Sequence, residues 1–224
     1  MHYIVLFFSL FFLNSCQADT DMNTSSIQQT ALVEAVKKNQ LVVVSEALKK
    51  GSDVNTTDKD GKSLLLIATQ SNAIEMANLL VSYKADVNQQ DRIQDSPFLY
   101  AGAAGHTELV QLYLLNGARF DVFNRYNGTA LIPACERGHL EVVKILVSTK
   151  GFPIDHVNRL GWTALMEAII LGNGSQKFVN VVQALVDAGC NIHIPDQDKV
   201  TPLQHAKSKG YTSIVDILEK ASRK

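Results

Sequence analysis

Residues that carry chemistry are sparse in this chain, and their spacing excludes several functions. The three cysteines, Cys16, Cys135 and Cys190, make no Cys-x-x-Cys pair, and the histidines make no His-x-x-x-His pair. A metal site built from sequence-local ligands needs such convergent spacings. Gly172-Asn173-Gly174 starts like a phosphate loop but lacks a preceding strand pattern and a following Lys-Ser/Thr, so it reads as part of an insertion, Asn173 to Lys177, between two helices. The formal net charge is only −1, far from the basic balance of a nucleic-acid-binding domain. The apolar stretch over residues 4–13 is half the roughly 20 residues that a bilayer-spanning helix needs. Nothing here assembles a nucleophile with a base, so the expectation is a non-enzyme with no cofactor and no metal.

What the chain does have is a cadence. The line Asp58-Lys59-Asp60-Gly61-Lys62-Ser63-Leu64-Leu65 recurs from Asp91, Asn124, Asn158 and Asp196, at steps of 33, 33, 34 and 38 residues. A period near 33 means stacked copies of one small unit. In the copy that starts at Asn124, Ala130, Leu131, Ala134 and Cys135 fall on one helical face. Gly138 then breaks that helix, because glycine takes the left-handed geometry of a helix end without a Cβ penalty. Val142, Val143, Ile145 and Leu146 line the next helix. Helices of two or three turns are marginal alone, so neighbouring copies must cover their apolar faces. Lys37, Lys38, Asn39 and Gln40 at one end, and Lys207, Lys209, Lys220, Arg223 and Lys224 at the other, give the stack polar caps.

The repeated elements are specific. Val200-Thr201-Pro202-Leu203-Gln204-His205-Ala206 and Gly161-Trp162-Thr163-Ala164-Leu165-Met166-Glu167-Ala168 open two copies. Gly105-His106 and Gly138-His139 sit mid-copy; Gly51-Ser52-Asp53-Val54-Asn55 and Lys84-Ala85-Asp86-Val87-Asn88 close others. In register, these resemble the ankyrin repeat, whose opening reads roughly Asp-x-x-Gly-x-Thr-Pro-Leu-His-x-Ala. The family's Pro is replaced by Leu64, Ala130 and Ala164, and its His by Leu66, Leu99, Ile132, Met166 and Gln204. The resemblance implies an all-α solenoid of about six helix-turn-helix repeats joined by β-turn or hairpin tips. It places one elongated domain over residues 27–224, with repeats near 25–57, 58–90, 91–123, 124–157, 158–195 and 196–224. Cys135 and Cys190 fall where the family has a small buried Ala, which makes them core thiols, with a disulfide as the alternative in an oxidising compartment.

The N-terminus suggests an address. Residues 1–15 carry no Asp, Glu, Lys or Arg, and the apolar stretch fits the core of a secretory signal. Leu13-Asn14-Ser15-Cys16 resembles the bacterial lipobox, which implies cleavage before Cys16 and lipid on its thiol. Gln17, rather than Asp, follows Cys16, which by analogy implies the periplasmic face of the outer membrane. Residues 16–26 then form the lipidated Cys and a polar tether, of which ten extended residues reach about 33–36 Å. A soluble periplasmic or signal-anchored protein is the alternative.

In the ankyrin family, partners commonly meet the turn tips and the concave face. Here the second tip residue is Lys59, Arg92, Arg125 and Arg159 in successive copies; the third includes Ile93, Tyr126 and Leu160. Trp162, the single tryptophan, and Phe123 lie close by in sequence. Arg, Tyr and Trp are enriched in binding hot spots, and arginine matches carboxylates. Arg92, Ile93, Phe123, Arg125, Tyr126, Arg159, Leu160 and Trp162 are therefore the expected contact residues for a protein partner with acidic groups around apolar pockets. The competing reading has the arginines bridging turns through Asp58, Asp91 or Asp95. A monomer is expected, touching membrane through its lipid alone and not binding nucleic acid. Three partner classes stay open: a general binding module, an immunity protein masking a periplasmically delivered toxin such as a lipase, and a stress-protection helper of an enzyme such as catalase. Replacing the lipobox thiol, Cys16→Ser, is expected to abolish metabolic labelling by fatty acid; persistent labelling of that variant contradicts the reading.

Overall fold

The structure, a computed structural model, describes residues 27–223; the expected signal segment, Cys16 and the tether lie outside the described residues. Twelve helices are present among them. They are α1 (27–37), α2 (Leu41–Lys49), α3 (Leu64–Gln70), α4 (Ile74–Ser82), α5 (Pro97–Ala104), α6 (Thr107–Leu115), α7 (Leu131–Glu136), α8 (Leu140–Ser148), α9 (Ala164–Ile170), α10 (Gln176–Asp187), α11 (Pro202–Ser208) and α12 (Thr212–Ala221). The described residues contain no strand; a lone antiparallel bridge joins Thr57 to Ser63. None of these helices is long and apolar enough to cross a membrane.

Odd-numbered helices from α3 to α11 stack on one another in order, and even-numbered ones from α2 to α12 do the same. The core is the seam between these two layers. In α7 and the residue before it, Ala130, Leu131, Ala134 and Cys135 are buried; in α8, Val142, Val143 and Leu146 are. Most of these helices are too short to persist alone, so burial against the next pair supplies their stability. The closing motif stitches neighbours on the far side. Asn55 Oδ1 accepts the Asp86 N–H at 2.9 Å, Asn88 Oδ1 the Arg119 N–H at 2.8 Å, and Asp155 Oδ1 the Asn191 N–H at 2.8 Å.

Four first-layer helices are capped alike. Ser63, Ser96, Thr163 and Thr201 accept the N–H three residues on, and Gln204 completes a capping box with Thr201. The helix α7 departs from the pattern. Pro133 lacks an N–H, and its ring crowds the carbonyl four residues back, that of Thr129. The helix starts late, and the Thr129 hydroxyl is buried without a partner.

Two expectations need correction. The insertion expected over Asn173 to Lys177 is partly helical: Ser175 is the N-cap and α10 runs twelve residues from Gln176. Burial of the Phe178 ring, with Lys177 Nζ 5.8 Å from its centroid, draws this segment into the helix. The opening pair is also less polar than expected: alongside exposed Lys37 to Gln40, Ile27, Val42 and Val43 face outward.

The caps predict a contrast. Ser96→Ala should cost about 1 kcal/mol, the usual worth of an N-cap. Thr129→Val removes a hydroxyl that bonds to nothing and should leave stability within about 0.5 kcal/mol or raise it. Denaturation midpoints measure both; equal losses would contradict the cap assignment.

Candidate protein-binding groove

The tips are built by one repeated device. Oδ1 of Asp58, Asp91, Asn124, Asn158 and Asp196 accepts the backbone N–H groups two and four residues on, at 2.9–3.0 Å. Each of these residues also donates its own N–H to the carbonyl four residues on. The fourth tip residue is left-handed throughout: Gly61, Gln94, Asn127, Gly161 and Lys199. Adjacent tips are joined in turn. The Arg92 N–H reaches the Asp60 carbonyl at 3.3 Å, and the Arg159 N–H the Tyr126 carbonyl at 2.8 Å.

This frame sets the expected contact residues on display to different degrees. Arg92, Arg125 and Arg159 are exposed, as are Ile93 at 52%, Tyr126 at 51% and Leu160 at 49%. Arg125 lies 3.5 Å from Asp95 and 5.1 Å from the Tyr126 ring centroid, so one turn-bridging arginine does exist. That pair is loose, and burial pushes the Asp95 carboxyl above its usual range despite Arg125. Among the described residues, neither the Arg92 nor the Arg159 guanidinium has an ionic partner. Phe123 stacks flat on His156, with centroids 4.4 Å apart, and His156 Nε2 sits 2.7 Å from the Asn127 carbonyl. Its ring thus ties two copies together. Trp162 is half-buried, with its N–H and carbonyl both engaged by Asn158.

Between the tips and the first-layer helices a groove of about 500 Å³ runs across the third to fifth copies. It gathers Arg125, Tyr126 and Leu160 from the expected set; Arg92, Ile93, Phe123, Arg159 and Trp162 do not line it. Its other walls come from residues that sequence reasoning passed over: Tyr100, Glu136, Arg137, Glu167 and Leu171. Arg137 Nη1 donates to the Ala103 carbonyl at 2.7 Å. Glu167, on α9, is 4% exposed, and its Oε1 accepts from Asn158 Nδ2 at 2.8 Å. Burial and then the neighbouring Glu136 carboxylate push its carboxyl up to about 7, against the opposing pull of Asn158. Glu167 stands nine positions after the tip Asx, the place from which His205 meets Asp196 at 2.7 Å one copy later.

Away from the groove, Cys135 and Cys190 are free and buried. Burial raises the Cys135 thiol and pushes the Cys190 thiol up to about 12, so neither presents a thiolate nucleophile at neutral pH. Among the described residues, no three His, Cys, Asp or Glu side chains gather as a metal site.

Paired helices in two stacked layers, with braced tips beside a concave groove, define a helical repeat solenoid. A family model of ankyrin repeats matches residues 2–91 and 98–181, and the chain belongs to the ankyrin-repeat family. It is 44% identical to an ankyrin repeat domain from Acinetobacter baumannii AYE, with a TM-score of 0.83 over 86% of this chain and 97% of that one. It is also 40% identical to the ankyrin repeat protein EF0377, with a TM-score of 0.82 over 85% and 96% of the two chains. Over 75 residues it is 35% identical to the ankyrin repeat protein YahD of Escherichia coli (strain K12), a match to 34% of this chain that spans 37% of that protein.

The buried carboxyl makes stability depend on pH. Its folded pKa of about 7 lies above the ordinary 4.5, so the folded state holds the proton more tightly. That contribution is complete below the ordinary value and is lost as pH rises through about 7. Glu167→Gln should therefore flatten the fall in denaturation midpoint between about pH 5 and pH 8. An unchanged slope contradicts the assignment.

Proposed function

We propose that this chain is a non-catalytic protein-binding module, held at the periplasmic face of the outer membrane by lipid on Cys16 and engaging a protein partner through its concave groove and turn tips. The ankyrin-repeat fold is a general protein–protein interaction scaffold, and the arrangement of this groove supports that use. The observation that carries the reading is the joining of a concave groove to exposed Tyr126, Leu160 and Leu171, beside the tip arginines. Contiguous apolar surface rimmed by charge marks an interaction site, and Tyr and Arg anchors near its centre dominate binding energies. Arg92 and Arg159, with no ionic partner among the described residues, would meet carboxylates on the partner's rim.

The test is capture of partners from envelope extract on the full chain, with Tyr126→Ala/Leu160→Ala as the control. Both side chains are about half exposed, so the double variant should keep its helical content and thermal midpoint. Its affinity for any protein the parent retains should fall by roughly 30-fold or more, the loss of about 2 kcal/mol at a hot spot. Equal retention by both proteins would contradict the reading.

A further inference from the structure

The groove floor holds a carboxyl whose charge, once it ionises, no cation among the described residues pairs. Glu167 lines the groove and is 4% exposed; Asn158 Nδ2 satisfies Oε1, while Oε2 has no hydrogen-bond partner among the described residues. Glu136 lines the same groove, and its negative charge opposes the ionisation of Glu167. The two groove cations are engaged elsewhere: Arg125 by Asp95 and the Tyr126 ring, Arg137 by the Ala103 carbonyl. The next copy shows what a closed version looks like. There the equivalent positions hold Asp196 and His205, bonded at 2.7 Å, so acid meets base within the chain. In the fifth copy a neutral amide faces a carboxylate, and the negative charge is left for something outside.

We propose that this groove receives an arginine side chain of the protein partner, its guanidinium against the Glu167 and Glu136 carboxylates and its methylene stem along Tyr100, Tyr126 and Leu160. The inference rests on the groove being the partner-binding surface. Charge complementarity selects the occupant. An acidic side chain would meet two carboxylates, and an apolar one would seal Oε2 away from water unpaired, at the cost of its desolvation. A metal ion would find too few ligands here, since no three His, Cys, Asp or Glu gather among the described residues. A guanidinium is weakly hydrated, planar and able to stack on tyrosine while it bonds carboxylates through its paired N–H groups. The partner's contact surface is then a basic anchor surrounded by acidic groups that face Arg92 and Arg159.

The experiment follows the Asn158 side-chain amide of the full chain by NMR at pH 8, where Glu167 is charged. The probe is n-butylguanidinium, with n-butanol as its neutral counterpart. Saturable shifts with the cation and none with the alcohol are expected. Glu167→Gln should weaken the cation at least tenfold while its thermal midpoint at pH 8 stays at or above the parent's; if that variant does not fold, Glu136→Gln at the half-buried neighbour should weaken it at least threefold. Equal responses to both probes, or unchanged affinity in the folded variants, overturn the proposal. Envelope capture separates this failure from failure of the binding-module reading. A partner lost by Tyr126→Ala/Leu160→Ala but kept by Glu167→Gln overturns the arginine anchor alone, whereas a partner kept by both variants overturns the module as well.

Discussion

At the first position of each of the five tips from Asp58 to Asp196, an Asp or Asn oxygen gathers the N–H groups two and four residues on, and the residue's own N–H closes the ring onto the carbonyl four residues on. Short polar side chains at turns make such bonds readily. Here the bond does more than finish a turn. The fourth residue must be left-handed, and Gln94 and Lys199 adopt that conformation at φ 63° and 66° although it is unfavourable for side chains with a Cβ. Glycine fills the place in two other copies without that cost. The brace therefore dictates the backbone even where the local residue resists. Because each tip ends at the cap of a first-layer helix, the same brace sets where those helices begin and how they face the groove.

Packing and site share this constraint. The helices pack because their apolar faces are covered by neighbours, and the tips fix the spacing at which neighbours arrive. In the fifth copy the bracing residue turns inward as well: Asn158 gives Oδ1 to the tip and Nδ2 to Glu167. In the sixth, Asp196 gives Oδ1 to the tip and Oδ2 to His205, whose hydrogen bond holds its carboxyl below the usual range. One side chain thus couples the shape of the rim to the charge of the floor. A groove arranged this way is pre-formed, which reduces the ordering that binding must oppose.

The fold was legible because its signals are periodic. Ala130, Leu131, Ala134 and Cys135 share a face at helical spacing and are buried together; Gly138 ends that segment at φ 67°. One misreading came where a local feature met a tertiary one. Gln176 and Lys177 looked like insertion, but Phe178 buries its ring and extends the helix around them. Trp162 stays a contact candidate beside the tips, its backbone held by Asn158 and its side chain half-buried. Phe123 is turned to stacking on His156. Glu167 was not legible as a floor residue. The equivalent positions are Ile67, Tyr100, Pro133 and His205, with no common chemistry, and a charge in a short helix normally faces solvent.

The most direct test of the account replaces the bracing amide by its acid, Asn158→Asp. The acceptor oxygen for the Leu160 and Trp162 amides is kept, while the donor to Glu167 becomes a second carboxylate. Hydrogen exchange of those two amides at about pH 5, read alongside denaturation at about pH 5 and pH 8, separates the two roles. The account predicts tip amides as protected as in the parent, a stability near the parent's at the lower pH, where a proton can be shared, and a marked loss at the higher. Unprotected tip amides at the lower pH, or the same stability change at both pH values, would contradict it.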